Sequence, residues 1–259
     1  MSRRLLIPTC IAALCLLGAT LAQGEQSQSG NVRISFSGSF APHSLPRDRP
    51  APITVHLKGA ISTTDETHPP AVQKIEFAIN RNGRMTTTGL PTCTSAQLQA
   101  TNTETAIERC GPSLVGRGRF GANVEFPSVT PVPATGRMLA FFGTRQGKPA
   151  LLLHLHGTTP VQTTFVLPLE ISRQAKGQFG TILSARIPTL AGGLGSVTEI
   201  DLRIGRSYNY RGQRHSFLSA SCAAPSGFTV AIFPLVRGSF FFADGKKIET
   251  TLARDCSVR

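Results

Sequence analysis

Few side chains in this sequence stand close enough together to do chemistry. His154 and His156 are two apart, directly after Leu151-Leu152-Leu153. Alternate residues of a strand point to one face, so both imidazoles can approach a single zinc or copper ion. A metal site needs a third ligand, and no Asp, Glu or Cys lies nearby in sequence. Imidazoles satisfied by carbonyls on a polar sheet face are the plainer reading. Arg206, Tyr208, Tyr210, Arg211 and Arg214 form the densest basic-aromatic cluster, with Arg203 just before them. Guanidinium forks grip phosphate or carboxylate, and tyrosines stack on rings. In a hairpin turning at Arg211-Gly212 the two tyrosines share a face. This is the best candidate binding patch, set against an exposed hairpin whose tyrosines merely cover the edge of the core.

Other signals are thinner. Gly116-Arg117-Gly118-Arg119-Phe120-Gly121 spells GxGxxG, but Val124-Glu125-Phe126-Pro127 continues it as a strand rather than a helix. The dinucleotide fingerprint requires a helix N-terminus there, so the glycines read as close sheet packing, and no cofactor is implied. Glu199 and Asp201 share a strand face at a span that suits a glycosidase pair. Same-face charges on a solvated sheet are commonplace. GxSxG, HExxH and SxxK are all missing.

These residues sit in an exported context. Arg3 and Arg4 precede an apolar stretch from Leu5 to Leu21, and small Ala19 and Ala22 give way to Gln23-Gly24-Glu25. That is the pattern of a secretory signal peptide cleaved near Ala22, with residues 23–31 a flexible polar lead-in. The mature chain is then secreted or extracytoplasmic, with no membrane span after cleavage. It retains Cys93, Cys110, Cys222 and Cys256, read as two structural disulfides. Proximity favours Cys93–Cys110 and Cys222–Cys256. The formal charge of +13 falls to +11 once Arg3 and Arg4 leave. Such an excess favours anionic surfaces when concentrated on one face, and serves solubility when spread.

The elements that position these groups are short and alternating. Period-two runs recur from Val32–Ser37 through Ile53–Leu57, Lys74–Ile79, Val115–Phe126, Ala150–His156, Thr163–Ile171 and Val197–Ile204 to Ile248–Leu252. Asn82-Gly83 and Asp244-Gly245 carry hairpin signals. Only Thr94–Arg109 departs, an Ala/Gln/Glu-rich stretch read as a short helix or two helical turns. Cys93 and Cys110 enclose it, and Gly111-Pro112 stops it.

The fold class is therefore all-β: an antiparallel β-sandwich with one disulfide-closed helical insertion. Residues 32–259 form one large unit, or two small ones divided near 112–114. A faint echo between Gly118–Ala122 and Gly177–Thr181 fits the divided version.

Function is read more coarsely. The first reading is a non-enzymatic, envelope-associated binding or structural protein. Its partner is an anionic envelope polymer or another extracytoplasmic protein, with no specific nucleic acid. The alternative is a secreted hydrolase of polysaccharide or cell-wall material, its acids brought together by the fold. A third reading, from the many phenylalanines, is capture of an apolar ligand, whose signature is a large apolar cavity.

Overall fold

The computed structural model describes residues 25–126, 129–159, 162–188 and 195–259. The signal peptide expected at 1–22 lies outside them. The chain opens with β1 (Glu25–Ser29), β2 (Val32–Ala41), β3 (Ser44–Leu45), β4 (Ala51–Pro52), β5 (Thr54–Thr63), β6 (Val72–Asn80) and β7 (Gly83–Met85). Next, β8 (Cys93–Thr94) leads into helices α1 (Ser95–Leu98) and α2 (Thr103–Cys110). The long strands β9 (Leu114–Phe126), β10 (Val129–Arg145), β11 (Lys148–Gly157), β12 (Thr163–Arg173) and β13 (Phe179–Arg186) follow. The last are β14 (Gly195–Ile204), β15 (Ser207–Tyr210), β16 (Gln213–Ser216), β17 (Leu218–Ala220), β18 (Val230–Phe242) and β19 (Lys247–Val258).

The protein is nearly all-β, and its strands join one large curled sheet rather than two facing layers. Fourteen strands run in the order β1-β2-β5-β14-β9-β10-β11-β12-β13-β6-β18-β19-β3, with β8 beside β10. Strands from both sides of residues 112–114 share it. Its far ends meet, because β19 packs against β1 and β2. At that seam Arg254 donates to the Glu25 carboxylate at 3.0 Å and to the Gly38 carbonyl at 2.6 Å. A three-stranded sheet, β4-β17-β7, stands apart from the large one, as does the β15-β16 hairpin.

Alternation explains most of the wall. On β2, Val32, Ile34 and Phe36 are buried while Arg33 is exposed, and on β19 buried Ile248, Thr250 and Leu252 alternate with exposed Lys247, Glu249 and Thr251. Each fully buried aliphatic or phenylalanine side chain contributes about 1.5–3 kcal/mol. β11 does not alternate, since every position from Ala150 to Gly157 is buried. A strand covered on both faces reads as a continuous apolar run, which accounts for the unbroken leucines. Leu151, Leu153 and Leu155 face the sheet interior, whereas Leu152 packs with Leu98, Ala106, Leu139 and Phe141 in a second core beneath the helices.

The helical insertion matches the sequence pattern. Thr94 and Gln97 form a capping box on α1, and the Asn102 side chain accepts from the Thr105 N–H on α2 at 2.8 Å. Disulfides join Cys93 to Cys110 and Cys222 to Cys256. Three local expectations change. Glu25–Ser29 is not a loose lead-in but a strand paired in register with β2. Asn82-Gly83 closes no hairpin, because β6 pairs with β13 and β18 while β7 pairs with β17. The glycine-phenylalanine echo falls on unlike structure: Gly118 lies within β9, and Gly177, at φ +89°, precedes β13.

Candidate functional site

The inner face of the curled sheet encloses a cavity of about 400 Å³. Phe36, Leu57, Phe77, Leu153, Leu167 and Phe240 are among the residues lining it, drawn from strands around the whole curl. The lining is predominantly apolar because most polar residues of the strands alternate outward, although Gln73, Asn80, Arg84 and Glu199 also border it. Arg33, Lys58, Arg117 and Arg119 are exposed, as is Glu249. A membrane-embedded barrel shows the reverse, apolar outside and polar within. Among the described residues no helix is long and apolar enough to cross a membrane. An unpaired charge would be costly to bury against its apolar walls. What it can hold is an uncharged, apolar molecule or the apolar part of a larger one.

The histidine pair faces the other way. His154 is fully buried under the helical insertion, and its Nε2 lies 3.0 Å from the Thr101 carbonyl and 3.1 Å from the Thr101 hydroxyl. That hydroxyl donates to the Leu98 carbonyl, so Nε2 carries the proton and Nδ1 is a buried acceptor without a partner. His156 contacts the Thr164 hydroxyl through Nδ1 at 3.0 Å, and the rings stack with centroids 6.3 Å apart. Burial pushes the His154 imidazole below its ordinary value, and the His156 charge acts in the same direction against the Thr101 carbonyl. The two do share a face, as their spacing requires. Among the described residues no three His, Cys, Asp or Glu side chains gather in a metal-binding group. His154 ties the helical insertion to the sheet through Thr101, while His156 bonds across to Thr164 on β12.

The basic-aromatic cluster does form a hairpin. Tyr208 opposes His215 and Tyr210 opposes Gln213, with Arg211 and Gly212 at positive φ in the turn. Much of the cluster is committed to the fold, however. Arg206 donates to the carbonyls of Gly111 at 3.1 Å and Leu114 at 2.7 Å. The Tyr208 hydroxyl donates to the Thr88 carbonyl at 2.9 Å, and burial raises its pKa. Tyr210 packs on Gly89, where a Cβ would collide with its ring. Arg211 lies 5.2 Å from the Tyr210 ring centroid, and Arg211 and Arg214 remain exposed.

The remaining candidates resolve structurally. Gly118 lets β14 approach β9 closely, since a Cβ would overlap the Asp201 carbonyl, so GxGxxG here marks sheet packing. Asp201 accepts from His56 at 2.6 Å, with Lys58 at 3.6 Å and Arg119 at 3.9 Å. The hydrogen bond from His56 is the main cause holding its carboxyl below the usual range. Sequence reasoning missed the wall of the cavity residue by residue, although the phenylalanine count pointed towards it. No family model, curated protein or solved structure matched this chain.

Proposed function

We propose that the protein binds an elongated, uncharged apolar ligand inside the curled sheet and carries it outside the cytoplasm. The observation that supports this reading is the 400 Å³ apolar cavity, within the roughly 300–1,000 Å³ typical of small-molecule sites. Apolar walls around an unfilled space forgo packing contacts, which an apolar occupant would supply. Two disulfides fit an oxidising compartment and the exported address read from the N-terminal residues. A binding role also suits a candidate acid, Asp201, whose neighbours are cations rather than a second carboxylate.

The test is uptake of N-phenyl-1-naphthylamine, a fluorescent apolar probe, and its displacement by a long-chain alcohol. Wild type should take up the probe. Leu153→Trp with Leu155→Trp, filling the cavity from two lining positions, should abolish uptake while keeping the melting temperature. Equal uptake by this variant, or none by wild type, would remove the cavity as a binding site.

A further inference from the structure

The outward face of β14, β9 and β10 carries arginines in direct cross-strand register. Arg203 opposes Arg117, and Arg119 opposes Arg137. Like charges directly opposite one another destabilise a sheet, and neighbouring strands are only about 4.8 Å apart. All four residues are exposed, the Arg119 and Arg137 side chains at 82% and 72%. Lys58, on β5, extends the row beyond Asp201.

The acids around this face are few and placed at its margins or shared. Asp201 is divided among His56, Lys58 and Arg119. Glu104, from α2, reaches Arg137 at 3.9 Å. Glu199 lies beside Gly121. Among the described residues no ion pair reaches Arg117 or Arg203. Unlike Arg206, these two spend no donor on a backbone carbonyl among the described residues, which leaves their forks available to a ligand.

We propose that this face is a binding site for a linear phosphate polymer. Phosphate oxygens accept the paired N–H donors of a guanidinium. Guanidinium rows spaced about 4.8 Å across strands and 6.8 Å along them offer successive phosphates a repeating set of forks. A bound phosphate between Arg117 and Arg203 would also relieve their mutual repulsion. The site is separate from the cavity, because these exposed side chains alternate along their strands with Met138 and Leu202, which line it.

The experiment uses immobilised inorganic polyphosphate with the full-length protein, over a range of salt. Wild type should bind, with log affinity falling linearly against log salt. In Arg117→Gln with Arg203→Gln, affinity at low salt should drop roughly tenfold and the slope should flatten by about 1.4, at 0.7 per lost contact. Arg211→Gln with Arg214→Gln should behave much closer to wild type. Matched melting temperatures keep folding out of the comparison. Undiminished binding by the Arg117/Arg203 variant would overturn the proposal, as would an equal loss in the hairpin variant. Binding to phosphatidylglycerol vesicles but not to polyphosphate would also overturn it, assigning the face to a lipid surface.

Discussion

His154 shows how one buried side chain makes a fold sensitive to acid. Burial depresses its pKa in the folded protein, while the unfolded chain keeps the ordinary value near 6.5. Between those two values the unfolded state binds more protons, so stability rises with pH across that window. The contribution is therefore complete above about pH 6.5 and is lost progressively as pH falls below it. The lowered carboxyls of Asp65, Asp201 and Glu249 act elsewhere, since their stabilisation disappears only below the unfolded carboxylate range. Thermal melts between pH 7.5 and 5 should show a falling melting temperature for wild type. His154→Gln, which keeps a donor towards Thr101 and cannot titrate, should flatten that fall. An unchanged slope would place the acid sensitivity on another residue. Spacing made the shared face of His154 and His156 legible. Which face it was depended on where the helices landed, and that is tertiary information.

Among the elements, local signals held and distant ones did not. The Arg211-Gly212 turn and the turn at Ala243–Gly245, with Gly245 at φ +81°, need only a few neighbouring residues, and both join strands adjacent in sequence. The disulfide pairs followed from proximity for the same reason. Asn82-Gly83 carries an equally good turn signal, yet β6 finds its partners in β13 and β18, about a hundred and more residues away. A dipeptide cannot report that competition. Glu25–Ser29 has no apolar pattern at all, and it is a strand because β2 offers it an open edge. The Cys222–Cys256 link spans 34 residues and ties β19 to the segment after β17. Closing a loop of that length stabilises by just under 4 kcal/mol in the chain-entropy model. Cys222→Ala with Cys256→Ala should lose about that much in denaturant unfolding, and the Cys93–Cys110 counterpart about 3 kcal/mol for its 17 residues.

For the molecule as a whole, alternation alone could not distinguish a sandwich from a curled sheet, because both bury every second residue. The deciding feature is that the sheet's own ends meet, and they do so without a shared ladder. β19 is held to β1 by the Glu25 carboxylate, which accepts from Arg254 and the Ala253 N–H, and to β2 by Arg254 donating to the Gly38 carbonyl, whereas most other neighbours in the wall exchange backbone hydrogen bonds. This makes the seam the weakest line around the cavity. Glu25→Gln should speed both uptake and release of the apolar probe in stopped-flow measurements while leaving its affinity nearly unchanged. Unaltered rates would locate the entry route at another part of the wall.

The order of strands also sets a timetable. β9 to β13 form a meander in which each strand pairs with the next, so that half of the wall can assemble as soon as it emerges. β5 waits for β14 to join it to the meander, and β6 waits for β13 on one side and β18 on the other. The seam closes only when β19 arrives. Until residues 195–258 are present, β5 is paired only with β2 and β6 only with β13, so each keeps one open edge. A chaperone that shields β5 and β6 during that interval would govern how much of the protein matures.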